Sequence, residues 1–347
     1  MDGVGVGARD GHLARHYHIM RAQRRHSGST PNSLISNGPG TASSIGKGRS
    51  PTVRGTIDGA LGDLPFLSYF SPARAYWNQR HALVRLRDRL LALSRVVDQP
   101  SDLAPFQWAQ LMAAVIEYQP DLILDLGRGK GNSTCAFTEA SHYRAGNTKV
   151  LSLCLSDSWE RETAPLLRQF VPDGWFDTLP IWRTDILKFD YQPALSSARR
   201  VLIFWDAHGF EIAECVLGAI LPLIADKEHL VLMHDLSDNR YSSEQQMAYG
   251  PNGLWKGNNW SGPRLKLGII DSAVEQAIAA LDFTTRNHLT LDSADHSFHS
   301  ELDAAQQAEM ERLMGELFNT QAHWFYFSLN ESPGPYTFPR FAGSEES

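Results

Sequence analysis

The sequence predicts an α/β fold: a doubly wound, mostly parallel β-sheet covered by helices on both faces. Short apolar segments alternate with stretches of helical periodicity between residues 105 and 330, which is the pattern of strand–helix repeats. A glycine-rich turn follows the first apolar segment, and acidic residues lie at or near the ends of all five main segments. Because ligands of open α/β sheets bind at the carboxyl ends of the strands, the same observations predict where a functional site lies.

Composition and charge argue against several classes of protein. The 347 residues contain no apolar run of the roughly 18 residues that a membrane span needs, so no membrane association is expected. Residues 1–60 have a net charge of +5, whereas the rest of the chain has −12. The acidic body argues against nucleic acid as a partner, because phosphate binding needs a basic surface. Cys135, Cys154 and Cys215 lie in apolar stretches without metal-ligand spacing, and predict reduced thiols in a cytoplasmic protein.

The first hundred residues divide into two parts. Residues 1–60 are rich in Gly, Ser, Arg and His without an apolar period, and are predicted to form a disordered tail. Residues 61–104 are predicted to form a helical extension, whose main helix over residues 75–97 has apolar positions at helical spacing. The arginines of that helix fit the solvated face of a helix packed on the core, or a membrane-surface helix. A second helix, over residues 106–118, precedes the first strand.

The chain is organised around the segment from Asp121 to Glu139. An apolar strand that contains Asp125 leads into glycines at alternate positions and then into a helix from Ser133; the glycines are Gly127, Gly129 and Gly131. Glycines here let the backbone turn sharply and approach a ligand closely, since no Cβ intervenes. The dinucleotide fingerprint needs a glycine at position 132, where this chain has Asn132. A carboxylate before the turn would repel a pyrophosphate and suits a ligand with an amino group.

Four further strands are predicted after this turn. They span residues 150–155, 181–184, 201–205 and 230–233. The polar residues that follow them are Asp157 and Glu160, then Asp185, then Asp206 with His208 two residues beyond it, and finally His234 with Asp235. In a parallel sheet all of these residues meet at one edge.

The last third of the chain is less regular. Residues 240–268 form a segment too long for an ordinary connection, which predicts a lid, a binding segment or a disordered loop. Helices are predicted over residues 271–281 and 302–318, and strands over residues 283–291 and 323–329. Residues 331–347 are predicted to form a C-terminal tail.

Residues 106–329 resemble a class I S-adenosylmethionine (SAM) dependent methyltransferase, chiefly through the D-x-G-x-G-x-G turn at 125–131. The segments IFWDAHGFEIAECVLGAILPLI (203–224) and HLVLMHDLSD (229–238) resemble the branch that includes macrocin O-methyltransferases and proteins labelled cephalosporin hydroxylase. The resemblance implies a Rossmann-like sheet of seven strands over residues 105–330. It implies SAM as the methyl donor. A hydroxylase activity finds no support, because the sequence shows no convincing iron facial triad.

The resemblance also implies roles for individual residues. The methionine part of SAM would be held by the turn and the start of its helix, that is by Asp125, Gly127, Gly129, Gly131 and Ser133. Asp157 or Glu160 would accept from the ribose hydroxyls, and Asp185 from the adenine amine. Asp206, His234 and Asp235 match positions that bind a divalent metal in metal-dependent relatives. A histidine is softer than the oxygen ligands that Mg²⁺ prefers, so Mn²⁺ is an alternative to Mg²⁺ at this position.

Two functions are compatible with these features. The first is transfer of a methyl group to a hydroxyl of a small molecule, such as a sugar or a polyketide-like compound. A metal at Asp206, His234 and Asp235 would lower the hydroxyl pKa, or His208 beside Asp206 would act as the general base. The second is a catalytically silent module that binds SAM or a nucleotide and serves as a scaffold. A small-molecule partner is expected in the first case, and a homo-oligomer is compatible with both.

Overall fold

The computed structural model describes residues 70–207, 209–234 and 275–341. Several sequence-based predictions fall outside these ranges. They concern the tail over residues 1–60, the segment over residues 240–268, and the side chains of His208 and Asp235.

The core of the fold is a seven-stranded sheet with the order β3-β2-β1-β4-β5-β7-β6. The strands are β1 (Leu122–Leu126), β2 (Lys149–Cys154), β3 (Ile181–Arg183), β4 (Arg200–Trp205), β5 (Glu228–His234), β6 (Asp292–Ser293) and β7 (Trp324–Phe327). Strands β1 to β5 are parallel, and β7 pairs antiparallel with β5 and β6. The predicted fold class, a doubly wound, mostly parallel and Rossmann-like sheet of seven strands, is confirmed.

The strand order reverses between β1 and β4. The chain moves outward from β1 through β2 to β3, and then crosses back to place β4 on the other side of β1. Such a reversal leaves a crevice at the carboxyl ends of the two central strands, because their connections leave in opposite directions. The glycine turn after β1 and Asp206 after β4 flank this crevice.

Helices cover both faces of the sheet. They are α1 (Pro72–Asn78), α2 (Arg80–Val97), α3 (Pro105–Tyr118), α4 (Asn132–Tyr143), α5 (Ala164–Leu167), α6 (Gln192–Ser196), α7 (Phe210–Cys215), α8 (Glu275–Arg286), α9 (Ala294–Glu301) and α10 (Ala304–Met314). No helix of the described ranges is both long enough and apolar enough to cross a membrane.

Successive side chains of each central strand point alternately into two separate hydrophobic cores. Ile123 and Phe204 point into one core, whereas Leu124 and Ile203 point into the other, as expected for a sheet buried on both faces. The first core also takes the apolar side of α2, including Leu83 and the other buried positions of that helix. The helix predicted over residues 75–97 therefore packs on the core, although Gln79 divides it into α1 and α2.

The prediction was wrong for residues 283–291. They were expected to form a strand, but Phe283 to Arg286 complete α8. The hydroxyls of Thr284 and Thr285 donate back to the carbonyls of Ala280 and Leu281, at 2.9 and 2.7 Å. The buried stripe of α8 has helical spacing, which overrides the strand propensity of its residues. Helix α9 was not predicted, and the helix expected over residues 302–318 is α10 followed by a short 3₁₀ turn.

Candidate functional site

The glycine turn follows β1 and is built from three residues with positive φ: Gly127 (+104°), Gly129 (+53°) and Gly131 (+101°). A Cβ added at Gly127 would lie 2.2 Å from the backbone oxygen of Asp206, and one at Gly131 would lie 2.3 Å from the ring of Trp159. At Gly129 the nearest atom of the described residues is 3.9 Å away. Packing therefore requires glycine at the two outer positions, while the described residues leave open space at the central one.

Asp125 is completely buried beneath the turn. Its carboxylate accepts hydrogen bonds from the hydroxyls of Ser133 (2.8 Å) and Ser152 (2.9 Å) and from that of Thr134. Burial raises the pKa of Asp125, and the three hydroxyls together with the charge of Arg128 oppose that shift. The carboxylate thus ties β1 to β2 and to the start of α4. The predicted contacts of Asp125 and Ser133 with the methionine part of SAM stay predictions, and a direct contact would compete with these bonds.

Arg128, between the first two glycines, is fully buried and fastens the turn to the segment after β2. Its guanidinium donates to the backbone and side-chain oxygens of Ser152, at 3.1 and 3.2 Å, and to Glu160 at 3.2 Å. A second ion pair joins Lys130 to Glu162 at 3.2 Å. The ring of Trp159 also packs against Gly131. Three contacts thus hold the glycine turn against the π-helical turn over residues 159–163, and we call these three contacts the clasp. The sequence analysis missed the clasp. Its signal in the sequence is the matching spacing of two cations in the turn, Arg128 and Lys130, and two acids after β2, Glu160 and Glu162.

The predicted ribose and adenine contacts lie at the carboxyl ends of β2 and β3. Asp157 is partly exposed and lies 3.6 Å from Arg161 and 3.9 Å from Arg183. Asp185 caps the short 3₁₀ turn that follows β3, where it accepts from the backbone N–H of Leu187 at 3.0 Å. Both acids thus reach the predicted edge of the sheet, and their roles toward a cofactor stay predictions.

Asp206 and His234 end the neighbouring strands β4 and β5 and lie in contact. Nδ1 of His234 is 3.1 Å from Oδ1 of Asp206, and both residues are buried. The structure therefore brings together two of the residues that the sequence analysis placed in one cluster. The backbone N–H of Asp206 also donates to Leu126 at 2.9 Å. This bond fixes the start of the post-β4 segment against the end of β1.

Gln107, in the first turn of α3, completes this cluster and was missed by the sequence analysis. Its Nε2 is 3.1 Å from Nε2 of His234 and donates to the carbonyl of Ala322 at 2.8 Å. The sequence carries no signal for this contact, because 127 residues separate Gln107 from His234.

The predicted metal site lies only partly within the described residues, because Asp235 is outside them. Both ring nitrogens of His234 face hydrogen-bonding partners, Asp206 on one side and the amide nitrogen of Gln107 on the other. An ion at either nitrogen would have to displace one of them. Within residues 70–207, 209–234 and 275–341, no three His, Cys, Asp or Glu side chains are grouped as a metal site requires. His234 therefore forms hydrogen bonds in this structure, and the metal-binding role of Asp206, His234 and Asp235 stays a prediction, since Asp235 lies outside the described residues.

A large cavity lies away from this cluster. It has a volume of about 970 Å³ and lies between α6 and the sheet face formed by β1 to β3, with Trp182 and Phe189 in its wall. None of the predicted site residues lines it. The three cysteines are free, and Cys135 and Cys215 are buried, as predicted.

Similarity to known proteins is confined to solved structures at low identity. No protein-family model and no curated protein matches the chain. The SAH-bound methyltransferase PaMTH1 of Podospora anserina is 12% identical with a TM-score of 0.29, over 48% of this chain and 62% of that one. The SAM-bound O-methyltransferase TomG of Streptomyces achromogenes, involved in tomaymycin synthesis, is 14% identical with a TM-score of 0.31, over 48% and 75%. The chain thus spans less than two thirds of the Podospora protein.

Proposed function

We propose that this chain is a SAM-dependent methyltransferase that transfers a methyl group to a hydroxyl of a small molecule. The observation that carries the proposal is the glycine turn at the reversal of strand order. Gly127 and Gly131 are packed against the protein, while the described residues leave open space at Gly129, beside the start of α4, where no described side chain caps the helix. The backbone N–H groups of a helix start and a turn of three glycines suit a polar cofactor that lies across the crevice.

The turn favours SAM over a dinucleotide. At the position where a dinucleotide fold needs its third glycine, the side chain of Asn132 is buried and bonded to Trp108 (3.1 Å) and Asp102 (2.9 Å). The third glycine of the dinucleotide fingerprint allows close packing of the helix on the strand, and a buried, hydrogen-bonded asparagine replaces it here. A compact sulfonium amino acid makes no such demand on this position.

The chemistry needs alignment and an acceptor for the hydroxyl proton. Asp206 lies directly beside Gly127, at the rim of the proposed cofactor site, and its carboxylate is held by His234. It is therefore placed to orient the acceptor hydroxyl and to take up its proton as the methyl group leaves the sulfonium. His208 stays a second candidate for the base. A metal at Asp206, His234 and Asp235 stays a prediction, and no step of this proposal passes through an ion.

Titration calorimetry with SAM, S-adenosylhomocysteine and NAD tests the cofactor, and transfer of a labelled methyl group to a panel of hydroxylated sugars and phenols tests the reaction. We expect binding of the first two ligands only. Asp206→Asn should keep SAM affinity within a few-fold and abolish transfer, whereas Asp226→Asn, at an exposed aspartate before β5, should change neither. Tight NAD binding would refute the cofactor assignment. SAM binding without transfer to any acceptor would favour the silent module.

A further inference from the structure

We infer that Gln107 is a positioning residue for the Asp206 carboxylate, which it controls by fixing the proton of His234 on Nδ1. The effect on methyl transfer rests on the proposed function, whereas the position of the proton does not. The inference assigns a role at the site to a helix that precedes the sheet and that the sequence analysis placed outside the cluster.

The hydrogen bonds around Gln107 settle which end of its amide is oxygen. Oε1 accepts from the backbone N–H of Ala104 at 2.8 Å, at the start of α3. Nε2 lies 2.8 Å from the carbonyl oxygen of Ala322, which can only accept. Rotating the amide by half a turn would place oxygen against oxygen and N–H against N–H. The second hydrogen of Nε2 therefore points to His234.

The orientation of Gln107 in turn determines the tautomer of His234. Nε2 of His234 faces an N–H donor at 3.1 Å, so this ring nitrogen must carry a lone pair. The proton then lies on Nδ1, which donates to Oδ1 of Asp206 at 3.1 Å. A proton on Nε2 would oppose the N–H of Gln107 in a site where all three side chains are buried. Such an unpaired contact is unfavourable away from water.

The chain of bonds fixes Asp206 from two sides. Its backbone abuts Gly127 and bonds to Leu126, so the residue cannot shift along the crevice. Rotation of its carboxylate is restrained by the N–H of His234, and Gln107 supports this arrangement by donating to the other ring nitrogen, where a second proton would oppose its own N–H. Gln107 is itself anchored at both ends of its amide, in α3 and in the segment before β7. A misplacement of a reacting group by about 1 Å costs on the order of 10²-fold in rate, so this restraint matters for catalysis.

Two substitutions separate positioning from packing. Gln107→Glu keeps the shape but replaces the N–H donor with an acceptor, which places His234 between two carboxylates and favours a second proton, on Nε2. Gln107→Leu removes the amide altogether. Gln110→Leu is the matched control, because Gln110 is equally buried in α3 and bonds to the carbonyl of Asn319 (2.9 Å) and the indole of Trp324 (3.1 Å). Its loss should destabilise the fold without touching His234.

The tautomer is read from long-range ¹H–¹⁵N correlation spectra of protein with ¹⁵N-labelled histidine, in which His234→Gln identifies the signal among the 13 histidines. We expect a proton on Nδ1 alone in the wild type and in Gln110→Leu, and protons on both ring nitrogens in Gln107→Glu. Methyl transfer should fall about 10²-fold in kcat for both Gln107 variants, with SAM affinity within a few-fold. An Nε2–H signal in the wild type, or an unchanged tautomer in Gln107→Glu, would overturn the inference. If no acceptor is methylated, the spectra still decide it, and only the proposed function fails.

Discussion

Replacing Gly129 with alanine should abolish cofactor binding while leaving the protein folded. The φ of Gly129 is +53°, in the left-handed region, where an L-residue costs about 1–2 kcal/mol. No atom of the described residues lies within 3.9 Å of the added Cβ, so packing within these ranges adds no further penalty. The methyl group would instead occupy the open space in which the proposed SAM molecule meets the turn. Stability should therefore fall slightly and affinity severely.

Thermal denaturation with and without ligand measures both effects in one experiment. S-adenosylhomocysteine at about 100 times its Kd stabilises a folded protein by about 2.7 kcal/mol, which should raise the melting temperature of the wild type by several degrees. Gly129→Ala should melt a few degrees lower than the wild type and show no shift with ligand. Calorimetry then supplies the affinity directly.

Gly131→Ala is the matched comparison within the same turn. Its Cβ would meet the buried ring of Trp159 at 2.3 Å, with φ at +101°. Overpacking and backbone strain together should cost about 2–5 kcal/mol, so this variant should be clearly less stable than Gly129→Ala. If Gly129→Ala binds SAM within a few-fold of the wild type, the cofactor does not approach this glycine, and the reasoning from open space is refuted.

Three further predictions follow from individual contacts. Because both ring nitrogens of His234 face hydrogen-bonding partners, Mn²⁺ at equimolar concentration should keep its free-ion electron paramagnetic resonance signal in the presence of the protein; a bound signal that Asp206→Asn removes would instead support the predicted metal site. Burial lowers the pKa of His229 to about 4, below the 6.5 of an exposed histidine, so the unfolded chain takes up its proton first. Stability should fall by up to about 3 kcal/mol as the pH drops from 6.5 to 4, and His229→Gln should flatten this dependence in urea titrations; equal slopes would count against it. Glu160→Met leaves the buried Arg128 without its carboxylate and should cost about 1–3 kcal/mol in urea denaturation, whereas Glu162→Met, at an exposed pair, should leave stability unchanged; equal effects would argue against the clasp.

The sheet was predictable because its strands carry their own signals. Each of β1, β2, β4 and β5 is an apolar run buried on both faces, and each ends near a polar residue that the sequence shows directly. The glycine turn was predictable for a similar reason, since glycines at alternate positions directly after an apolar strand are typical of a tight turn near a ligand. Region 283–291 failed because its residue types favour strands, while tertiary packing of α8 decided the outcome.

The contacts that organise the site could not be predicted, because they join residues far apart in the chain. Gln107 reads as a helix residue in the first turn of α3, and only the fold places it 3.1 Å from His234. Arg128 occupies an unspecified position of the D-x-G-x-G-x-G motif, yet its side chain is fully buried and bonds to Ser152 on β2 and to Glu160 beyond β2. Sequence spacing indicates the element on which a residue lies, but not the partner that its side chain meets.

Asp125 and Asp206 show that the partner of a side chain, and not only the element on which it lies, bears on its function. Both are aspartates at the ends of apolar central strands, and both flank the crevice at the reversal of strand order. The carboxylate of Asp125 is enclosed by three hydroxyls under the turn, which suits a structural acid. That of Asp206 is held by an oriented N–H from His234, beside the glycine turn. A group restrained in this way at the rim of a crevice is suited to receive a proton, which is why we propose Asp206, and not Asp125, as the proton acceptor.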